Sequence, residues 1–172
     1  MELNKIAFGG GCHWCTEAVF QTLIGVEKVS QGWVSSTSKN ETFSEAVIVH
    51  FNIEKINLKT LIEIHLHTHK STSNHSMRTK YRSAVYYFSN NQKEESLKII
   101  KELQCKFERK IITEALEFKD FKPSTEEFQN YYQSNPEKPF CKNYINPKLQ
   151  FLIDTYSENV DKTKVFHLTK TV

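Results

Sequence analysis

The chain has 172 residues, of which 38% are hydrophobic, and a formal net charge of +3 with lysines and acidic residues interspersed. This length fits one domain that buries a core without metal or disulfide staples, and the balanced charge excludes nucleic acid and anionic membranes as required partners. No signal peptide and no apolar run of membrane-spanning length is visible, so we expect a cytoplasmic protein. In that compartment four cysteines indicate catalysis or metal binding rather than a disulfide framework.

The first half of the chain alternates between strand and helix patterns. The predicted elements are a strand at residues 5–8, a helix at 12–23, strands at 25–34 and 46–51, a helix that Asn57 caps and that runs to residue 66, and a strand at 84–88. This order, βαββαβ, is typical of the split βαβ arrangement. The predicted fold class is therefore α/β (α+β) with a ferredoxin-like core.

The second half predicts additional helices and loops. Residues 90–109 form an amphipathic helix with Leu97, Ile100, Leu103 and Phe107 on its apolar face. A strand at 110–116, a helix near 124–133, a loop that holds Cys141 and a helix at 147–156 follow. We expect one catalytic domain at residues 1–156 and a loosely held tail at 157–172.

The chemistry is concentrated around Cys12. Three consecutive glycines precede it, and glycine lets the backbone turn tightly and approach a substrate closely. Cys12 then begins a helix, where unpaired N–H groups and the helix dipole favour the thiolate. Cys15 lies on the same helix face, so the pair also supports disulfide chemistry. The alternative interpretation is that Cys12 is a small buried cysteine at the end of a strand, with a structural role only.

Two further interpretations of these cysteines stay open. Cys12 and Cys15 are ligand types that zinc accepts, and the chain also supplies His65, His67, His69 and His75. The second interpretation is that the chain is a general CxxC thiol–disulfide oxidoreductase. Cys105 lies near the apolar face of the predicted helix, which favours a packing role.

The motifs resemble those of the peptide methionine sulfoxide reductase A family. Residues 9–15, Gly-Gly-Gly-Cys-His-Trp-Cys, resemble the family's Gly-Gly-Cys-Phe-Trp signature, and residues 80–85, Lys-Tyr-Arg-Ser-Ala-Val, resemble its Gln-Tyr-Arg-Ser-Ala-Ile. Residues 44–47 resemble its His-Ala-Glu-x-Val strand start, and residues 130–136 resemble its Tyr-His-Gln and Asn-Pro region. The resemblance covers about residues 5–150.

The resemblance implies an enzyme that reduces the S epimer of methionine sulfoxide, free or in proteins. Cys12 would attack the sulfoxide sulfur and become a sulfenic acid, Glu45 would be the general acid, and Tyr81 would donate to the sulfoxide oxygen. A proton donor at neutral pH requires burial, which we expect for Glu45. His13 and Trp14 would line the pocket for the substrate methyl group.

The sequence departs from the family pattern around this pocket. Residues 32–36, Gly-Trp-Val-Ser-Ser, replace Gly-Tyr-Thr-Gly-Gly, and the following loop is shorter. Phe43 is the nearest counterpart of a second pocket tyrosine and lacks the hydroxyl, while Ser76 or His75 stands near the family's pocket aspartate. We hypothesise that His13, in a phenylalanine position, either lowers the thiol pKa of Cys12 as an imidazolium or replaces the missing donor.

The resolving cysteine stays open between Cys15 and Cys141. The resemblance implies thioredoxin, or another dithiol, as the reductant, and it implies neither a bound cofactor nor a metal. We expect a monomer. The alternative to an enzyme is a non-catalytic module that binds methionine sulfoxide.

Overall fold

The computed structural model describes residues 3–169. Its strands are β1 Asn4–Gly9, β2 Val26–Ser35, β3 Ser44–Phe51, β4 Ala84–Tyr87, β5 Glu114–Glu117 and β6 Asp120–Pro123. Its α-helices are α1 His13–Gln21, α2 Leu58–Thr68, α3 Asn90–Leu103, α4 Tyr131–Ser134, α5 Asn146–Thr155 and α6 Phe166–Thr169. Within residues 3–169, no helix is both long enough and apolar enough to cross a bilayer.

The sheet has the strand order β5-β4-β1-β3-β2-β6. Its central part, β4-β1-β3-β2, is antiparallel throughout, because β1 pairs with both β3 and β4 and β2 pairs with β3. This is the predicted ferredoxin-like core, and the α+β fold class is confirmed. Two short strands extend it, since β5 adds parallel to β4 and β6 adds antiparallel to β2.

The main core lies between the sheet and helices α1 and α2. Phe8 pairs with Val47 across the sheet and stacks on Phe20 of α1 with ring centroids 4.7 Å apart. Successive strand residues point to opposite faces, so Ala7 belongs to a smaller cluster with Tyr86 on the other face. These contacts fix the end of β1 against α1, which is where the glycines and Cys12 follow.

The capping prediction for α2 is confirmed. The Asn57 side chain accepts a hydrogen bond from the backbone N–H of Thr60 at 2.8 Å, which satisfies one of the unpaired groups at the helix start. Leu61, Ile62 and Ile64 are fully buried against the sheet.

The predicted helix at residues 90–109 is too long. It ends at Leu103, and its buried face is carried by Ser96, Ile99 and Leu103, while Leu97 is 50% exposed. Phe107 leaves the helix because its ring stacks on His67 of α2, with ring centroids 4.5 Å apart. The packing role predicted for Cys105 is wrong, since Cys105 is exposed in a 3₁₀ turn.

The predicted helix near residues 124–133 is also wrong. Strand β6 and a 3₁₀ turn at Glu126–Phe128 precede the short helix α4. The edge of β2 supplies the backbone partners of β6, and Asn130 has a positive φ of 53° that interrupts any longer helix. The predicted loop around Cys141 is instead a π-helical turn, Cys141–Ile145.

The predicted loose tail differs from the structure over its described part. Val160 and Val165 are buried, and Val160 forms an isolated β-bridge with Leu23. Residues 170–172 lie outside the described residues. A domain boundary at residue 156 stays a prediction.

Candidate active site

Cys12 occupies the predicted place at the start of a helix. Strand β1 ends at Gly9 and α1 begins at His13, so Cys12 is the N-cap residue. Its carbonyl accepts the first hydrogen bonds of the helix, from the backbone N–H groups of Cys15 at 3.1 Å and Thr16 at 3.2 Å. The sheet and the first helical turn therefore both hold the position of the thiol.

The glycines before Cys12 differ in how closely other groups approach them. A Cβ on Gly10 would lie 2.4 Å from the His69 ring, and one on Gly9 would lie 2.9 Å from the carbonyl oxygen of Arg82. A Cβ on Gly11 would meet no atom within 4 Å. Close approach thus requires glycine at the first two positions, while Gly11 has open space.

This difference predicts a contrast between two neighbouring substitutions. In Gly10→Ala the new Cβ would collide with the His69 ring, so the ring must move. Because the ring is packed, we expect this movement to lower the free energy of unfolding by about 1–3 kcal/mol. Gly11→Ala is the matched control and should change it by less than about 0.5 kcal/mol. Chemical denaturation of both variants measures the contrast, and equal effects would contradict it.

The thiols of Cys12 and Cys15 interact directly. A hydrogen bond from the Cys15 thiol is the largest cause that lowers the pKa of Cys12, and the backbone N–H groups of Trp14 and Cys15 add to it. Burial and the charge of Glu45 oppose this effect. The same hydrogen bond raises the pKa of Cys15, together with burial and the charge of Cys12. Cys12 is therefore the more acidic of the two thiols.

Removing the Cys15 thiol is expected to raise the pKa of Cys12. In Cys15→Ala the donated hydrogen bond is lost, so a smaller fraction of Cys12 is thiolate at neutral pH. The pH dependence of iodoacetamide alkylation should move to higher pH. Cys105→Ala is the control, because Cys105 is exposed and its thiol donates locally, to the Glu102 carbonyl. An unchanged alkylation profile in Cys15→Ala would show that the hydrogen bond does not set the pKa.

Cys12 opens into a cavity of about 490 Å³. Its lining includes Cys12, Cys15, Tyr81, Phe140, Tyr144 and Lys148. The structure thus brings the predicted nucleophile, one predicted resolving thiol and the predicted tyrosine to one cavity. Phe140 and Tyr144 were not expected there. The sequence signal that could have indicated them is their position near Cys141, since Phe140 precedes it and Tyr144 lies three residues after it.

Arg78 is another residue that the sequence analysis missed. Its Nη1 donates to the carbonyl of Gly10 at 2.9 Å and to the carbonyl of Tyr81 at 2.8 Å. It therefore ties the glycine segment to the segment that carries Tyr81. No sequence motif indicated Arg78, because its two partners here are backbone carbonyl oxygens, which every residue carries.

Glu45 is buried as expected, with 6% of its surface exposed. Its Oε1 accepts a hydrogen bond from the backbone N–H of His13 at 3.3 Å, and its Oε2 lies 3.8 Å from Nζ of Lys80. The backbone N–H of Glu45 also donates to the carbonyl of Lys80 at 3.0 Å. These contacts hold the carboxyl beside the start of α1 and beside the residue that precedes Tyr81.

The His13 ring faces Glu45. Its Nδ1 is 2.7 Å from the carbonyl oxygen of Gly32, its Nε2 is 3.4 Å from Oε1 of Glu45, and the edge of the ring packs on Trp33. His13 does not line the cavity that Cys12 lines. Both ring nitrogens therefore have partners other than a bound substrate.

The other predicted pocket residues lie around the site rather than in this cavity. Trp14 stacks on Tyr131, with ring centroids 4.1 Å apart, and its edge meets Phe140, which does line the cavity. Phe43 is 39% exposed and lies under Nζ of Lys122. Ser76 is exposed between His75 and Met77, which both line the cavity. Substrate binding by Trp14, Phe43 and Ser76 stays a prediction.

Cys141 is buried and its thiol donates to the carbonyl of Asn135 at 3.6 Å. Its charge would interact with that of Cys15, since the turn that carries it packs on α1. Lys148, which lines the cavity, donates to the carbonyl of Thr68 and lowers the pKa of Cys15 through its charge.

The described residues give the zinc alternative no support. Over residues 3–169, no group of three or more His, Cys, Asp or Glu side chains is arranged to hold a metal ion. His65 Nε2 is engaged with the Gly9 carbonyl, and the two His69 nitrogens are engaged with the His65 carbonyl and the Ser83 hydroxyl. Burial lowers the pKa of His69 to about 3, so this ring is neutral.

The chain is similar to known proteins over most of its length. Residues 4–161 match the family model of peptide methionine sulfoxide reductase. The chain is 36% identical over 174 residues to peptide methionine sulfoxide reductase MsrA of Trichodesmium erythraeum (strain IMS101), which covers 92% of this chain and 98% of that relative. It is also 36% identical over 159 residues to MsrA of Pasteurella multocida (strain Pm70), covering 84% and 91%.

Solved structures show the same fold. Mxr1 from Saccharomyces cerevisiae in complex with Trx2 is 25% identical, with a TM-score of 0.60 over 76% of this chain and 85% of that chain. The reduced form of Mxr1 is 24% identical, with a TM-score of 0.71 over 83% and 91%, and supports the fold alone.

Proposed function

The chain belongs to the peptide methionine sulfoxide reductase family, and from this we propose that it reduces methionine-S-sulfoxide, free or in proteins, to methionine. The observation that carries the proposal is the Cys12 thiol, which has a lowered pKa, begins α1 and opens into the same cavity as Tyr81. The enzyme is thus a peptide-methionine (S)-S-oxide reductase. A sulfoxide sulfur is a weak electrophile, so a preformed thiolate and a proton donor are both required.

In the first step the Cys12 thiolate attacks the sulfoxide sulfur while the Glu45 carboxyl gives its proton to the oxygen. The sulfur–oxygen bond breaks, the hydroxyl passes to Cys12 as a sulfenic acid, and methionine leaves. Tyr81 donates a hydrogen bond to the oxygen. The support for the roles of Cys12 and Tyr81 is the cavity that both line. Glu45 does not line this cavity, and the support for its role is the contact of its carboxyl with the backbone N–H of His13, the residue after Cys12.

Cys15 is the thiol that we propose resolves the sulfenic acid. It already contacts Cys12, and i, i+3 positions on a helix place two thiols close together. Its pKa is raised chiefly by Cys12, and that cause disappears once Cys12 is an uncharged sulfenic acid. Attack on the Cys12 sulfur then forms a disulfide and releases water. Cys141 remains the alternative, and peptide mass mapping after substrate oxidation distinguishes Cys12–Cys15 from Cys12–Cys141.

We propose that thioredoxin, or another dithiol, reduces this disulfide. The Mxr1 complex with Trx2 supports the partner, because that chain shares this fold. The same proposal includes three further points. Catalysis needs no bound organic cofactor or metal, the protein is a monomer, and its location is cytoplasmic.

The proposed function is tested by turnover with thioredoxin as the electron donor and separated epimers of methionine sulfoxide as substrates. We expect sustained methionine production from the S epimer and only background from the R epimer. Insulin reduction without sulfoxide, measured in parallel, should be slow. Rapid insulin reduction with no methionine would instead indicate a general CxxC oxidoreductase, and saturable sulfoxide binding with no product would indicate a binding module.

A further inference from the structure

The cavity that Cys12 lines carries positive charge. Lys70 and Lys148 both line it, and its lining within the described part of the chain includes no Asp or Glu. His69 also lines it, and burial keeps that ring neutral. Glu45 lies outside this cavity. Two ammonium groups therefore border the nucleophile's cavity without a carboxylate in its wall to balance them.

The two lysines are not neutralised from outside the cavity either. The ion pairs formed among residues 3–169 do not include Lys70 or Lys148. Lys106 and Lys142, by contrast, each pair with a glutamate. The positive charge at the cavity is thus available to a group that enters from solution.

Lys148 is the more constrained of the two lysines. Its Nζ donates to the carbonyl of Thr68 at the end of α2, which uses one of the three ammonium hydrogens. Burial is the largest cause that lowers the pKa of Lys148, and the charge of Lys70 lowers it further, while the charges of Cys15 and Cys12 raise it. Lys148 also lies in the first turn of α5, where the helix dipole disfavours a cation. An anion in the cavity would offset these unfavourable effects.

We propose that Lys148 and Lys70 bind a carboxylate of the substrate, so that the protein prefers methionine sulfoxide with an anionic group close to the sulfoxide. This inference rests on the proposed function and names its substrate class. The carboxylate is either the α-carboxylate of free or C-terminal methionine sulfoxide, or the side chain of a neighbouring acidic residue in a protein. Both lysines line the same cavity as Cys12, so one substrate can contact all three. Hydrogen bonds between an ammonium and a carboxylate are stronger than those between neutral groups.

An alternative role for the two ammonium groups is to stabilise the Cys12 thiolate. The largest cause that lowers the pKa of Cys12 is the hydrogen bond from the Cys15 thiol, and the backbone N–H groups of Trp14 and Cys15 follow. These groups belong to α1 itself. The acidity of Cys12 therefore has its main source in its own helix, and the lysines are left for a ligand.

The test compares two substrates that differ only in the carboxylate, the S epimers of N-acetylmethionine sulfoxide and of its amide. Wild type should prefer the acid by about 10–100-fold in kcat/KM, the usual strength of hydrogen bonds to a charged group. Lys148→Met and Lys70→Met should each lower this ratio, mainly through a higher KM for the acid. Lys142→Met is the matched control, because Lys142 is exposed, pairs with Glu137 and lies outside the cavity. It should keep the wild-type ratio.

A second pair of substrates identifies the source of the carboxylate. These are peptides with both ends capped that carry either aspartate or asparagine beside the sulfoxide. A preference for the aspartate peptide that falls in Lys70→Met indicates a neighbouring side chain. Equal kcat/KM for the two peptides, with a preference for N-acetylmethionine sulfoxide over its amide, indicates the α-carboxylate. Lys70 is exposed, so Lys70→Met carries the test even if loss of the Thr68 contact unfolds Lys148→Met.

Two results would overturn the proposal. One is the absence of any preference for the acid or for the aspartate peptide in wild type. The other is a preference that both lysine variants retain, and a shift of Cys12 alkylation to higher pH in those variants would then assign the lysines to the thiolate. Absence of product from every substrate is distinct, because it rejects the proposed function. Calorimetric binding of the acid and the amide then still measures the carboxylate site, and equal affinities would reject it.

Discussion

Cys12→Ser is expected to abolish methionine sulfoxide reduction. Cys12 has a lowered pKa because the Cys15 thiol and the first backbone N–H groups of α1 stabilise its thiolate. A serine hydroxyl at this site stays protonated at neutral pH and cannot accept the hydroxyl to form a sulfenic acid. The loss should therefore reach the uncatalysed background, measured as methionine formed from the S epimer.

The matched control for this substitution is Cys105→Ser. Cys105 undergoes the same chemical change but is exposed, and its thiol donates to the nearby Glu102 carbonyl. Its activity should stay at the wild-type level. Substantial reduction by Cys12→Ser, with a single folded population, would contradict the assignment of the nucleophile.

Glu45→Gln is expected to slow the sulfoxide step by about 10²–10⁴-fold, the usual contribution of a positioned general acid. The amide has nearly the same shape as the carboxyl, and its oxygen can still accept from the backbone N–H of His13. It has no acidic proton to give to the leaving oxygen. Substrate affinity should therefore change little, while the single-turnover rate falls.

Glu41→Gln is the control for the acid. Glu41 lies in the loop before β3, is exposed, and pairs with Lys119 at 3.7 Å away from the site. Surface ion pairs of this kind contribute little, so rate and stability should both stay near wild type. A Glu45→Gln rate within a few fold of wild type would show that another group protonates the oxygen.

The core of the fold was predictable because its signals are local. Strand alternation in β1, β2 and β3, helical periodicity in α1 and the Asn57 cap each follow from short stretches of sequence. The part after residue 118 depends on distant partners. Strand β6 exists because the edge of β2 pairs with it, and α4 begins where the buried Glu17 carboxylate accepts from the N–H groups of Asn130 and Tyr131.

The candidate site shows the same division. The place of Cys12 at a helix start and its proximity to Cys15 follow from spacing, and the family resemblance brought in Glu45 and Tyr81. Four residues reach the site from distant segments, and no periodic pattern in the sequence predicts their place there: Arg78, Phe140, Tyr144 and Lys148. The direction of the His13 ring depends on the Gly32 carbonyl of a neighbouring strand, which no local pattern encodes.

The most direct test of the central claim is to react the pre-reduced protein with each separated epimer, without any added reductant, and to quantify methionine and free thiols in the same sample. The S epimer should give stoichiometric methionine, with matching loss of the Cys12 thiol and of one partner thiol. The R epimer should give neither. Methionine formed while Cys12 remains free, or no methionine while Cys12 still reacts with a thiol reagent, would contradict reduction by Cys12.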